Sequence, residues 1–221
     1  MNATEVKAVE EMVNTFNKTT KELSQLEAEK VKTQFLESLK NNYFNIQTAQ
    51  HNLDLGNIKA LSVSGKEENY TVLVVPIIGS EYNPFSSIIF IYNSNLELVT
   101  YQETHILKSK TNNFEFTTYD EGEKTSQEVS EIEYVSNDVF LKGVQGIKEF
   151  GNPVPENRTR NCLMALLGIN GTAAAVAIKV CGASCKFPTK ITVPICAACI
   201  GAFAKVGQGS IPAVAGCFLL G

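Results

Sequence analysis

The sequence predicts an α+β protein in two parts: an N-terminal helix or helix pair with an antiparallel β meander, followed by a small all-α, disulfide-stapled helical hairpin. Three observations carry this prediction. Apolar residues recur at three- and four-residue steps from residue 4 to residue 40, then in short β-rich runs from Ile58 onward. All six cysteines fall in the last 60 residues. All 23 acidic residues lie within residues 1–156, so the tail beyond carries no carboxylate side chain.

In chain order, Val6, Val9, Val13 and Phe16 share one helical face, and Leu23, Leu26, Val31, Phe35 and Leu39 continue it at a shifted register. Thr19 or Thr20 ahead of Glu22 is placed to cap a second helix, so one long helix or two short ones satisfy the pattern. The periodicity changes at Ile58. Ile58 to Ser64, Tyr70 to Ile78, Ser87 to Tyr92, Leu96 to Gln102, His105 to Lys110 and Phe114 to Tyr119 read as strands. Turn-forming residues separate them: Gly65-Lys-Glu-Glu-Asn69, Asn83-Pro84, Asn93-Ser-Asn95 and Thr111-Asn-Asn113. Residues 1–150 are therefore expected to form an acidic α+β domain.

The net charge of −4 averages two unlike parts: residues 1–156 carry −10, and the remainder, with Arg158, Arg160, Lys179, Lys186, Lys190 and Lys205, carries +6. Residues 151–160, with two prolines and a glycine, read as a linker. Arg158 and Arg160 offer a trypsin-like processing site there. Residues 161–221 are the expected cationic hairpin. Cationic surfaces are drawn to anionic lipid or nucleic acid. With few aromatics and no basic run, nucleic acid is a poor partner for this tail and an anionic membrane the better one.

Pairing the cysteines from the outside inward gives Cys162 with Cys217, Cys181 with Cys199 and Cys185 with Cys196, and the midpoints of all three pairs coincide at residue 190 to within a residue. Antiparallel arms stapled at three levels require that spacing, although six cysteines allow fifteen connectivities. Small neighbours, Gly182, Ala183, Ala197 and Ala198, would let the arms approach as a disulfide demands. The turn is expected over Lys186 to Pro194. Gly168, Asn170 and Gly171 interrupt one arm, and Gly207, Gly209 and Pro212 the other, giving four short helices in a kinked hairpin. Cys162–Cys185 and Cys196–Cys217 would measure about 36 and 33 Å if fully helical, roughly a bilayer core. Lys179 and Lys205 interrupt both apolar runs, so neither arm reads as a transmembrane helix alone, and the alternative is a small soluble four-helix domain, too small to be stable without staples. The two fit together if the hairpin is soluble until lipid turns its apolar arms outward.

Cys-x-x-x-Cys and Cys-x-x-Cys with ten residues between them also have the spacing of a zinc site. The intervening loop is apolar, however, and Cys162 and Cys217 would have no role, so no metal is expected. No cofactor and no catalytic residue is expected either. His51 and His105 lie on different elements without a visible partner, and Asp120, Glu121, Glu123, Glu128, Glu131 and Glu133 read as a solvated loop and strand face. There is no phosphate-binding glycine loop, nucleophile elbow or zinc-protease motif. Disulfides imply export to an oxidising compartment. Met1 to Val13 lacks the apolar core of a secretory signal, so either a leader has been removed or export takes another route.

In Val180-Cys-Gly-Ala-Ser-Cys185 and Lys190-Ile-Thr-Val-Pro-Ile-Cys-Ala-Ala-Cys199, within Asn161–Gly221, the chain resembles cysteine-rich bacteriocins made as the C-terminal part of a longer precursor, in particular the halocin C8-like group. The resemblance implies a secreted antimicrobial tail and an N-terminal part that protects the producer. Six cysteines are fewer than in the archaeal prototype. Nested pairing across a helical hairpin also looks like saposins, though the spacing within each half differs. The expectation is a precursor whose tail, freed by a processing protease, permeabilises target-cell membranes. Lys179, Lys186, Lys190 and Lys205 would make first contact, and Leu163, Leu166, Leu167, Val176, Ile178, Ile191, Ile195, Ile200, Phe203, Val214, Phe218 and Leu219 would supply the apolar face, with the acidic domain restraining the tail by intramolecular contact. The alternative expectation is a non-toxic secreted or cell-surface binding protein that uses the stapled tail as an attachment module.

Overall fold

A computed structural model describes residues 20–64, 68–144, 158–167, 170–186, 192–204 and 217–218. Contacts divide the chain into a unit spanning Lys21–Tyr134 and a second holding the described residues from Val135 onward. The protein is α+β.

In the first unit, β1 (Thr20–Glu22) precedes helix α1 (Gln25–Lys40). Six further strands follow: β2 (Lys59–Ser64), β3 (Asn69–Pro76), β4 (Ser87–Tyr92), β5 (Leu98–Lys108), β6 (Asn113–Asp120) and β7 (Glu123–Glu133). They form a seven-stranded antiparallel meander in sequential order. Thr20 therefore extends a strand rather than capping a helix. Ser24 takes the cap: the Glu27 N–H donates to Ser24 Oγ at 3.4 Å, and the Ser24 N–H donates to Glu27 Oε2 at 3.2 Å. This reciprocal box competes better than Thr20–Glu22, whose backbone belongs to the sheet and whose neighbour Leu23 donates to the Ala60 carbonyl. Residues 4–19 of the expected helix lie outside the described residues.

Helix α1 buries Val31, Phe35 and Leu39, one every four residues, against Leu73, Val75, Ile88, Phe90 and Tyr101. Leu26, expected on that face, points to solvent at 83% exposure. Phe35, Phe44, Phe90 and Tyr101 form an aromatic cluster with centroid spacings of 4.8–5.8 Å. The other faces of β3 and β4 are buried too, through Val72, Val74, Ile89 and Ile91. Strands buried on both faces read as unbroken apolar runs, as Val72–Val75 and Ile88–Ile91 do.

The sequence splits 96–110 into two strands, but β5 runs unbroken for 11 residues. Glu103 marks the false break: its side chain points inward and is held there by hydrogen bonds. The acidic cluster occupies the β6–β7 turn and β7, where Glu121, Glu123, Glu128, Glu131 and Glu133 are exposed. Glu121 and Gly122 turn this hairpin with φ of 51° and 86°, the left-handed pair of a tight two-residue turn.

The second unit contains α2 (Asn137–Val144), α3 (Arg158–Leu167), α4 (Gly171–Lys186) and α5 (Thr192–Ala204), followed by Cys217 and Phe218. Helices α2, α3 and α5 each pack on α4. Residues 137–144 thus group with the C-terminal helices rather than with the sheet, and Phe140 is fully buried there. Helix α3 ends at Leu167 and α4 begins at Gly171, so the interruption expected at Gly168 and Asn170 falls between them, while Gly171 is itself the first residue of α4. Asn170 caps α4, accepting the Ala173 N–H on Oδ1 at 2.9 Å and the Ala174 N–H on its carbonyl at 3.0 Å. The matching break at Gly207, Gly209 and Pro212 lies outside the described residues. Pro194 does not lie in the turn. It sits in the first turn of α5, where a missing N–H costs no hydrogen bond.

Candidate functional site

Two constructions stand apart from the general packing: the stapled helices and a buried polar cluster on β5.

Cys181 and Cys185, one turn apart on α4, face Cys199 and Cys196, one turn apart on α5. The bonds are Cys181–Cys199 and Cys185–Cys196, with Cα separations of 5.7 and 5.0 Å; Cys162 on α3 bonds Cys217 at 5.5 Å. The nested pairing read from the spacing is the pairing of the structure. All six sulfurs are engaged in these bonds, so a four-thiolate metal site would first require reduction of two of them. Helices joined at these distances leave little room between their backbones. Small side chains suit such an approach, and Ala173, Ala174 and Ala177 on α4 and Ala197 and Ala198 on α5 are each no more than 2% exposed. Gly182 does not contribute to the close approach, because a Cβ there would meet nothing within 4 Å. The side chain of Ala183 lies outside the described residues.

Among the cationic residues, Lys179 is exposed on α4 and Lys186 ends that helix; Lys190 and Lys205 lie outside the described residues. Arg158 and Arg160 do not sit on extended chain. They form the first turn of α3, with Thr159 buried at 4% exposure and the Arg160 guanidinium packed so closely over Gly171 that a Cβ would collide with it. A protease binds its substrate extended, so cutting here requires that turn to unwind. Of the expected apolar face, Leu163, Val176, Ile200 and Phe218 are buried, and Ile178 and Ile195 are partly so. Leu166, Leu167, Ile191, Phe203, Val214 and Leu219 lie outside what is described. The helices are also shorter than the expected arms, α4 at 16 residues and α5 at 13, and no helix among the described residues is long and apolar enough to cross a membrane.

The polar cluster was invisible as chemistry in the sequence. Glu103 has no exposed surface, yet its carboxylate accepts the N–H groups of Gln47 and Thr48, both at 2.8 Å, and the Thr48 hydroxyl. His105 Nε2 lies 2.6 Å from Glu103 Oε1 and 2.9 Å from Thr48 Oγ1. Tyr82 and Tyr119 pack on the imidazole with centroids 5.2 Å away. The neighbouring Asn45 N–H donates to the Tyr101 hydroxyl at 3.0 Å. Burial pushes the Glu103 carboxyl up, but hydrogen bonds from His105, Thr48 and Gln47, with attraction to His105, prevail and hold it below the usual range. A carboxylate satisfied this fully anchors the Asn45–Thr48 segment across the sheet. The one sequence signal was the i, i+2 spacing of Glu103 and His105, which puts both on one strand face. Their partners come from 55–57 residues away. His51, by contrast, is exposed in a 3₁₀ turn at Gln50–Asn52.

In comparisons with known proteins, the chain matches no family model, no curated protein and no solved structure.

Proposed function

We propose that the chain is an exported bacteriocin precursor whose cysteine-rich C-terminal peptide permeabilises the membranes of competing microbes. The observation that carries this reading is the combination, in one short segment, of three nested disulfides, a small-residue interior and six cations with no carboxylate. A peptide so composed resists unfolding and proteolysis outside the cell and is drawn to anionic lipid. The proposal assigns no catalytic step to the chain. Residues 1–150 restrain the tail, their charge of opposite sign favouring association until a protease separates the two parts.

Lys179, Lys186, Lys190 and Lys205 make first contact with lipid, each contributing about 1 kcal/mol near an anionic surface. Leu163, Val176, Ile200 and Phe218 then turn outward, since they are interior in the folded unit. The test compares uncut chain with chain cleaved between Phe150 and Arg158, with disulfides intact, on dye-loaded vesicles. Cleaved protein should empty anionic vesicles, spare zwitterionic ones and lose potency at high salt, while uncut protein releases little. Binding without leakage would favour the attachment-module reading. Absence of binding to anionic vesicles would end both the lipid contact and the killing mechanism built on it.

A further inference from the structure

The three disulfides are not equivalent. Cys181, Cys185, Cys196 and Cys199 are at most 6% exposed, and their two bonds lie one turn apart across the same helix pair. Cys162 is only half-buried, while its partner Cys217 is buried. The outer bond also closes the longest loop, 55 residues against 18 and 11. Beside it sit two large apolar side chains, Leu163 next to Cys162 and Phe218 next to Cys217, at 0% and 1% exposure.

We infer that Cys162–Cys217 is a thiol-addressable clasp, whose reduction uncovers apolar surface while the inner two bonds keep α4 and α5 joined. Thiol–disulfide exchange requires a thiolate to reach a sulfur, and Cys162 is the one cysteine of the six that is not buried. An external thiolate attacks Cys162 Sγ, forming a mixed disulfide and expelling the Cys217 thiolate, which takes a proton. A second external thiol then attacks the mixed disulfide, releasing Cys162 as a thiol and leaving the reductant as its own disulfide. Two protein thiols are gained for each pair of external thiols oxidised. Cys217 is then free of α3, and Leu163 and Phe218 lose the crosslink that holds them inside. The inference concerns the folded unit itself and stands whether or not the tail acts on membranes.

The experiment exposes the full-length oxidised protein to stepwise increasing reduced glutathione at neutral pH, alkylates the freed thiols and maps them by peptide mass spectrometry. An apolar fluorescent probe is read in parallel. The first two labels should fall on Cys162 and Cys217, about tenfold or more faster than on the inner four, as expected where only one bond includes a cysteine that is not buried. Probe fluorescence should rise with those labels while far-UV helicity persists. Labelling of the inner four first, or of all six together, would overturn the inference. So would first labels at Cys162 and Cys217 without a rise in probe fluorescence. The double variant C162S/C217S supplies a second measurement: its remaining cysteines should stay paired as Cys181–Cys199 and Cys185–Cys196, and scrambling among them would be equally fatal.

Discussion

Replacing Glu103 with Gln removes one charge and keeps the shape, so it tests whether the buried carboxylate holds the Asn45–Thr48 segment in place. Four donors converge on the native carboxylate: the Gln47 and Thr48 N–H groups, the Thr48 hydroxyl and His105 Nε2. An amide offers one carbonyl to them and turns its NH₂ toward the rest. At least one buried donor is then unsatisfied, at about 1–3 kcal/mol, and the remaining bonds lose their charge assistance, roughly another 1–2 kcal/mol. The expected destabilisation at pH 7 is about 3–4 kcal/mol, a large share of the ~5–15 kcal/mol that holds a domain folded. Seven tyrosines and no tryptophan make tyrosine emission in urea a suitable assay. The midpoint should fall by about 2 M for a slope near 1.5–2 kcal/mol/M.

The pH dependence has a definite sign. Because the native carboxyl sits below its unfolded value, the unfolded chain binds more protons in the acid range. The stabilisation is therefore complete above an unfolded carboxyl pKa of roughly 4.3 and fades as pH falls through the native value. The gap between wild type and the Gln variant should be widest near neutrality and narrow as the pH falls through the lowered native value. A midpoint unchanged at pH 7, or a gap that stays constant down to acid pH, would refute the anchoring role.

Phe35→Ala removes a fully buried ring packed on Phe44 and Phe90 and should cost about 3–5 kcal/mol by urea titration. Gly122 has φ of +86° and a Cβ there would run into the Asn45 backbone, so Gly122→Ala should destabilise by about 1–3 kcal/mol and raise amide exchange at both the β6–β7 turn and residues 45–48. Gly182→Ala is predicted to do the opposite: with open space around it in mid-helix, the change should raise the melting temperature by a few degrees, equivalent to about 0.5–1 kcal/mol. Removing the inner bond with C185S/C196S opens a loop of 11 residues and should cost about 3 kcal/mol, measured by thermal unfolding against the intact protein.

The sequence by itself determined the fold class, four of the strands (β2, β3, β4 and β6) to within a few residues, the α3–α4 break and the disulfide pairing. The reason is the same in each case: these features depend on local periodicity or on symmetric spacing along the chain. Val72–Val75 and Ile88–Ile91 alternate or run apolar whatever packs on them, and cysteines equidistant from a turn meet when the arms fold back. Tertiary structure decided the rest. Ser24 rather than Thr20 starts α1 because the segment before it joins the sheet, which no capping rule anticipates. Pro194 enters a helix because its position in the first turn needs no N–H. Arg160 is packed against Gly171 because α3 and α4 touch, although its neighbours in sequence look like open linker. Glu103 and His105, two residues apart, read as a charge that ends a strand and an ordinary histidine. Only the return of residues 45–48 across the sheet supplies the donors that let a carboxylate stay charged in a buried place.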